Sequence, residues 1–215
     1  MQGIPYSVYK LYAQSRASVK IYAKLRWVLS HFKEIEALIP KKADVVDVGC
    51  GFGLLANYIA IMSQNRRVFG IDISTRRIQV AKRTVGTRQN IDFVRGDVKD
   101  LCLSECDVVV MTDFLHHISF DDQLHLLREV NSKLKIGGQL IVRDISAGRS
   151  WKYFCHLLLD TFLNIGKPLF FRNRRSWDLL LEQTGFIVTQ VYSIDNFCFP
   201  VIIFVCEKTQ TKPCF

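Results

Sequence analysis

The sequence is poor in several features that define common protein classes. It has 5 Pro and 12 Gly in 215 residues and no internal repeat, which excludes collagen-like and Pro-rich chains. Its 7 Cys form no paired CxxC clusters, so we expect reduced thiols and no zinc site. No apolar run of about 20 residues is free of interrupting charges, and we therefore predict no transmembrane helix. The first residues lack a leader-like pattern, and a cytoplasmic protein is expected.

Negative charge is also scarce. Lys and Arg number 29 against 20 Asp and Glu, which gives a net charge of +9. This excess of positive charge favours anionic partners, such as phosphate groups, acidic carrier proteins or anionic lipid headgroups. A composition of 49% hydrophobic and 23% charged residues excludes a largely disordered chain. The length is enough to bury a full core, so we predict a globular domain with some additional elements.

The pattern of apolar residues changes once along the chain. Residues 1–42 predict a cap of two helices, Val8–Ser15 and Val19–Leu38. From residue 43 onward, short β-branched strands alternate with helices at least five times, which predicts a doubly wound, mostly parallel sheet. The last two predicted strands, Phe186–Tyr192 and Val201–Glu207, are joined by a connection too short for a parallel crossover. We therefore expect these two strands to be antiparallel.

The most informative segment is Val45–Gly53, where a predicted strand runs into three alternating glycines and then a helix. Glycine permits positive φ and lets the backbone approach a ligand closely, and ligands bind beyond the carboxyl ends of parallel strands. Asp72 ends the second strand about 20 residues later, where a carboxylate can accept hydrogen bonds from both ribose hydroxyls. A dinucleotide fold is one interpretation, because Gly51–Ala56 fits GxGxxA.

Two carboxylates argue against a dinucleotide. Asp47 precedes the first glycine by two residues, where it would repel a pyrophosphate but suits an ammonium group or an ordered water. Asp97 follows the third predicted strand, and a short carboxylate there can accept a hydrogen bond from an exocyclic adenine amine. The pattern therefore favours a nucleoside ligand without a pyrophosphate.

Four ordered motifs between residues 43 and 207 resemble those of class I S-adenosylmethionine-dependent methyltransferases. They are Asp47–Gly53, Gly70–Ser74, Gly96–Val98 and Leu126–Ile141. The resemblance implies a Rossmann-like seven-stranded sheet, mostly parallel with an antiparallel last strand. It also implies an N-terminal helical cap (1–42) and a methyltransferase domain (43–215) with an inserted helical lid at about 146–175.

The same resemblance implies S-adenosylmethionine as cofactor, S-adenosylhomocysteine as product, and no metal. The residues that it implies for cofactor binding follow the ends of the first four strands. They are Asp47, Gly49, Cys50, Gly51, Gly53, Asp72, Ile73, Asp97, Val98, Thr112 and Asp113.

Candidate catalytic residues lie in Phe114–Ile118, after the fourth predicted strand. This stretch is similar to the Leu-His-Asp segment of small-molecule O-methyltransferases, in which the His deprotonates a hydroxyl. His116 takes the position of that base, a role that suits imidazole near neutral pH. His117 replaces the family's Asp, so the orienting partner is missing from the motif. The alternative is that both His side chains shape the pocket without transferring a proton.

The acceptor is predicted to be a small hydrophobic or aromatic molecule, lipid-like or carrier-bound among the options, with oxygen favoured over carbon or nitrogen. An RNA methyltransferase and a catalytically silent subunit that acts through a protein partner are the alternatives. Nucleic acid is less favoured, because Thr112–Leu115 stands where base-amine methylating relatives carry an Asn/Asp-Pro-Pro-aromatic sequence. The apolar stretch 151–171 is interpreted as the lid, with homodimer packing and peripheral membrane contact as alternatives.

Overall fold

The computed structural model describes residues 3–98, 103–145, 168–195 and 200–208. The chain divides into two compact units, residues 1–100 and residues 101–215, and each is described by itself. Residues 146–167, which include most of the predicted lid and most of the stretch 151–171, lie outside the described residues.

The first unit begins with a helical cap. Helix α1 (Tyr6–Tyr9) continues as a 3-10 turn to Tyr12 and is followed by α2 (Ala17–Leu29) and α3 (Phe32–Ala37). The predicted single helix Val19–Leu38 is wrong. His31 adopts a left-handed backbone, with φ of 52°, so the helical path is interrupted there.

The cap is joined to the sheet by a buried ion pair. The Arg66 guanidinium is fully buried and donates to Glu36 Oε1 at 2.6 Å. It also donates to the backbone carbonyls of Pro40 at 2.9 Å and of Ile39. A buried charge is tolerated only when it is paired and its donors are satisfied, and this arginine meets both conditions. It thereby fixes α3 against the start of the second strand.

The α/β part of the first unit alternates strictly. Its elements are β1 (Ala43–Val48), α4 (Leu54–Met62), β2 (Arg66–Asp72), α5 (Thr75–Arg83) and β3 (Ile91–Arg95). The strands are parallel in the order β3-β2-β1, with Val45 level with Val68 and Val68 level with Ile91. These three side chains are buried on the same face of the sheet.

The second unit carries the remaining four strands. Its elements are β4 (Cys106–Thr112), a 3-10 turn (Leu115–His117), α6 (Phe120–Lys133), β5 (Leu134–Ile145), α7 (Arg174–Gln183), β6 (Phe186–Asp195) and β7 (Pro200–Lys208). β4 pairs with β5 in parallel, whereas β7 is antiparallel to both β5 and β6.

The strand order in the sheet is β3-β2-β1-β4-β5-β7-β6. Within the second unit, β7 alone runs against the other strands, because both of its pairings are antiparallel. The predicted fold class, a mostly parallel seven-stranded sheet with flanking helices, is confirmed. No helix within the described ranges is long and apolar enough to cross a membrane.

Candidate functional site

The glycine loop after β1 is held in an unusual backbone path. Gly49, Gly51 and Gly53 all have positive φ, at 77°, 58° and 77°. An L side chain in this conformation costs about 1–2 kcal/mol, so glycine is the favoured residue at each position. The N–H groups of Gly49 and Cys50 both donate to the Ile71 carbonyl, at 2.8 and 2.9 Å, which fixes the loop to the end of β2.

The two sides of this loop differ in the space they offer. A Cβ added at Gly53 would lie 2.5 Å from the Phe93 ring, and one at Gly70 would clash with the same ring. Among the described residues, a Cβ added at Gly51 would meet only the Tyr22 hydroxyl, at 3.9 Å. The loop is therefore packed tightly on Phe93 at Gly53, whereas a ligand has room to approach the backbone at Gly51.

Asp72 links the loop to the next helix. Its Oδ2 accepts from the Gly51 N–H at 2.9 Å, and its Oδ1 accepts from the Ser74 N–H at 2.8 Å. Arg77 lies 3.7 Å from Oδ2. Each carboxylate oxygen has a second lone pair, so Asp72 can still accept from a ligand hydroxyl while it holds the loop.

Asp47 is a buried carboxyl group directly before the loop. It is 1% exposed, and neither oxygen has a hydrogen bond of good geometry from a described residue. Burial, followed by the nearby charge of Asp72, raises the pKa of Asp47 to about 7, although the Ala56 N–H and Arg26 act in the opposite direction. A buried acceptor without a full partner fits a ligand that brings a cation or a hydrogen-bond donor.

The other predicted residues of the first unit surround these groups. Burial raises the pKa of the Cys50 thiol, so the thiol stays neutral and its Sγ lies 3.8 Å from the Gly51 carbonyl. The Gly96 N–H donates to the backbone carbonyl of Asp72 at 3.2 Å, which brings Asp97 and Val98 to the end of β2. The Ile73 side chain is 58% exposed beyond that strand end, where an apolar ligand group can cover it.

Sequence analysis missed a hydrogen-bonded network under the loop. The buried Tyr12 hydroxyl donates to the Phe52 carbonyl at 3.0 Å and lies 3.2 Å from Nδ2 of Asn57. The Asn57 amide also donates to the Gly53 carbonyl at 2.7 Å and to the Thr84 hydroxyl at 2.8 Å. Arg88 donates to Asn57 Oδ1 at 2.5 Å. The network fixes the Phe52–Gly53 part of the loop from the cap and from two helices.

In the second unit, one predicted residue ends β4 and the other follows it directly. Thr112 is buried at the strand end. Asp113 has a left-handed backbone, with φ of 50°, and its carboxylate forms an ion pair with the buried Arg143 on β5. The Asp113 N–H donates to the Arg143 carbonyl at 2.9 Å. Asp113 therefore already has a cationic partner on the neighbouring strand.

His116 is paired with a carboxylate that the sequence motif did not reveal. Its Nδ1 lies 2.5 Å from Oδ1 of Asp144 at the end of β5, and both side chains are about 97–98% buried. Burial by itself would raise the pKa of Asp144. The charge and hydrogen bond of His116, the Ile145 N–H and Arg143 together hold that pKa below its usual value. The carboxylate is thus ionised and orients the imidazole. His117 is exposed, with its ring 4.1 Å from that of His116.

Aromatic side chains surround this His–Asp pair. Phe171 stacks on His116 with ring centroids 4.8 Å apart and an angle of 16°. The Phe170 N–H donates to the His116 carbonyl at 2.8 Å, and Phe170 packs edge-on against Phe120. Within the described residues, no group of three His, Cys, Asp or Glu side chains is arranged to hold a metal ion.

A buried glutamine fastens these aromatic residues to the 3-10 turn. Gln123 is fully buried and its Nε2 lies 3.0 Å from the Leu115 carbonyl and 3.2 Å from the Phe170 carbonyl. Its Oε1 accepts from Arg172 Nε at 2.6 Å. Segment 170–172 is therefore held across His116 by polar contacts as well as by ring stacking.

The comparison with known families agrees with the observed fold. Residues 46–142 match a family described as a methyltransferase domain. The likeness to a methyltransferase domain thus spans 97 of the 215 residues. The matched range includes Asp47, the three loop glycines, Asp72, Asp97 and His116, whereas Tyr12 and Asp144 lie outside it.

Individual methyltransferases show the same likeness. A ubiquinone biosynthesis O-methyltransferase from Coxiella burnetii is 30% identical over 131 residues, which cover 59% of this chain and 53% of that protein. Its counterpart from Erwinia tasmaniensis is 29% identical over 133 residues, 60% of this chain and 51% of that protein. The chain thus spans about half the length of these curated relatives.

A solved methyltransferase structure shares the fold over nearly the whole chain. It is magnesium protoporphyrin IX methyltransferase from Synechocystis PCC 6803 with bound SAH. The TM-score is 0.70 at 17% identity, and the alignment covers 93% of this chain and 92% of that one. At this identity the likeness concerns the fold alone.

Proposed function

We propose that this protein transfers a methyl group from S-adenosylmethionine to an oxygen atom of a small hydrophobic or aromatic acceptor. The single observation that carries the choice of oxygen is the 2.5 Å pairing of His116 with Asp144. A hydroxyl acceptor must lose a proton during transfer, and an oriented imidazole is suited to take it. The O-methyltransferase names of the two curated relatives support the same acceptor atom.

The first unit supplies the residues for the donor. The open backbone at Gly51 accommodates its amino-acid part, with the buried Asp47 carboxyl close by. Asp72 accepts from the ribose hydroxyls, while Asp97 and Ile73 contact the adenine. When bound, S-adenosylmethionine supplies an electrophilic methyl group on a positively charged sulfur. The protein's part is to hold that methyl in line with the acceptor and to exclude water.

The second unit supplies the base. An ionised carboxylate can only accept a hydrogen bond, so Asp144 selects the imidazole tautomer that carries its proton on Nδ1. Nε2 is then the unprotonated nitrogen, and it removes the hydroxyl proton. As the imidazole becomes positively charged, Asp144 stabilises it. His117 is exposed, and its proposed role is to shape the surroundings.

The aromatic residues beside His116 favour a flat acceptor. Phe171 is half-buried against the imidazole face, and Phe120 is 45% exposed. Aromatic rings stack favourably on one another in offset or edge-on geometry. A phenol or a related hydroxylated ring therefore suits this environment better than a strongly polar acceptor.

The decisive experiment joins calorimetry with a transfer assay. S-adenosylmethionine and NAD are titrated separately into the protein, and only the former is expected to bind. Tritiated methyl transfer is then measured to a lipid extract, a small-molecule extract and RNA. Label in a base-stable, ether-linked small molecule supports the proposal. Label only in RNA, or tight donor binding without any transfer, would favour an RNA methyltransferase or a silent subunit instead.

A further inference from the structure

Helix α2 has two apolar faces. Val19, Ala23 and Trp27 are buried. On the opposite side, Ile21, Leu25 and Val28 are 58%, 60% and 41% exposed. The spacing of i, i+4 and i+7 aligns these three residues in one stripe along the helix. A surface helix normally carries polar residues there, so the stripe calls for a partner.

The charge around this stripe has one sign. The first 33 residues contain six Lys or Arg (Lys10, Arg16, Lys20, Lys24, Arg26 and Lys33) and no Asp or Glu. Lys20 and Lys24 lie one turn apart along the flank of the stripe. Lys24 Nζ lies 5.1 Å from the centre of the Tyr9 ring, which holds the charge at the protein surface. The face is therefore apolar in its centre and positive at its edge.

Two other occupants fit this face poorly. In a two-fold contact between copies of α2, each row of lysines would meet the same row in its partner, and three aliphatic side chains would bury too little area to offset the repulsion. Single-stranded nucleic acid would engage the lysines, but it binds through aromatic stacking as well, and Ile21, Leu25 and Val28 offer no ring for a base. An anionic bilayer satisfies both the stripe and the lysines.

We propose that α2 docks on an anionic lipid bilayer. The helix lies in the plane of the interface, with Ile21, Leu25 and Val28 inserted at the level of the upper acyl chains and with Lys20 and Lys24 among the headgroups. Tyr22 of the same helix packs edge-on against Phe52 of the glycine loop, with ring centroids 5.1 Å apart. The docked surface is thus adjacent to the element proposed to hold the donor.

Vesicle cosedimentation of the full chain tests this inference. Vesicles of three parts phosphatidylcholine to one part phosphatidylglycerol are compared with pure phosphatidylcholine at low and at physiological salt. The wild type is expected to sediment with the anionic vesicles and to release as salt rises. The triple variant Ile21→Gln, Leu25→Gln, Val28→Gln should partition at least tenfold less. The double variant Lys20→Gln, Lys24→Gln should lose most of the salt-sensitive binding.

A matched control uses exposed apolar residues of the second unit. Leu179 and Ile187 are 50% and 56% exposed, and the double variant Leu179→Gln, Ile187→Gln should sediment like the wild type. Circular dichroism and donor calorimetry on every variant separate loss of docking from loss of the fold or of the proposed activity. Failure of the wild type to bind anionic vesicles at low salt overturns the inference, as does equal binding by the triple variant. A dimer in light scattering that the triple variant abolishes, without vesicle binding, would assign the face to a second copy.

Discussion

Nδ1 of His116 lies 2.5 Å from Oδ1 of Asp144, although the two residues are 28 positions apart in the sequence. The register of the parallel strands explains the contact, because Thr112 at the end of β4 is level with Arg143 on β5. Asp144 therefore emerges next to the turn that carries His116. The Ile145 N–H donates to the same carboxylate oxygen at 2.7 Å and fixes its orientation.

Loss of the proposed base should reduce turnover without reducing donor affinity. His116→Ala is expected to lower kcat by about 10²–10⁴-fold, which is the usual contribution of a positioned general base. Because His116 is not among the residues proposed to bind the donor, the Kd of S-adenosylmethionine in calorimetry should change less than about twofold. His117→Ala serves as the control, since His117 is exposed whereas His116 is buried. An unchanged kcat in His116→Ala would remove this residue from the mechanism.

Asp144→Asn should alter the pH dependence as well as the rate. The amide keeps the shape of the side chain but cannot stabilise a positively charged imidazole. The acidic limb of the kcat/KM profile should therefore move to lower pH, and the rate on the plateau should fall by about 10²-fold or more. A merely structural role would lower the rate at all pH values and leave the limb in place. That outcome would contradict the proposed orienting function.

Alanine substitutions at three glycines distinguish the effects of backbone strain, steric clash and ligand contact. Gly86→Ala is the reference, because Gly86 has φ of 60° and open space around it, and the substitution should cost about 1–2 kcal/mol of stability. Gly53→Ala adds the clash with Phe93 and should cost about 2–5 kcal/mol. Gly51→Ala should destabilise like Gly86→Ala. Among the variants that remain folded, Gly51→Ala should selectively weaken donor binding, by more than tenfold.

Urea unfolding and calorimetry on the three variants provide the measurements. If Gly51→Ala and Gly86→Ala bind the donor equally well, the open side of the loop is not where the ligand approaches.

The raised pKa of Asp47 predicts a pH-dependent stability. Between about pH 4 and pH 7 the folded state keeps a proton that the unfolded state has released, so stability falls as pH rises through this window and then levels off. A shift from 3.8 to about 7 corresponds to about 4 kcal/mol as an upper bound. Asp47→Asn should remove this contribution. The difference between wild-type and variant unfolding free energies at pH 5 and pH 8 measures it.

The affinity for the donor should also depend on the ionisation of Asp47, but it should rise with pH. A ligand that presents a cation to Asp47 favours its ionised form, so the free protein must release a proton on binding. Wild-type affinity is expected to rise more steeply between pH 6 and pH 8 than that of Asp47→Asn. Calorimetry in two buffers of different ionisation enthalpy counts the released protons. Equal proton release by the wild type and the variant would show that Asp47 does not face the cation.

Removal of the Tyr12 hydroxyl should make the backbone of the glycine loop less stable. Burial raises the pKa of Tyr12, so its phenol stays protonated and donates to Phe52. Tyr12→Phe keeps the ring but loses that bond, at a cost of about 0.5–1.5 kcal/mol, and donor affinity should fall several-fold. Tyr6→Phe is the control, because Tyr6 is 78% exposed. Hydrogen exchange at Gly53 should speed up in the first variant and not in the second.

The sequence located the parts of the site that are contiguous. The strand, the alternating glycines and the helix of residues 43–62 follow from local preferences, and Ser74 caps α5 as its residue type predicts, with its hydroxyl 3.4 Å from the Arg77 N–H. The break at His31 had no such signal, because the apolar spacing continues through it. Asn57 in an otherwise apolar helix was a signal that could have pointed to the network beneath the loop.

The sequence by itself determined the alternation of strands and helices, the position of the glycine loop and the residues around it, because periodicity and backbone preference act over a few neighbouring residues. Only the tertiary structure decided that Asp144 orients His116, that Arg143 takes the carboxylate of Asp113, and that Tyr12 supports Phe52. These pairs depend on strand register and helix packing. Both arise from contacts between residues far apart in the chain, which no local pattern encodes.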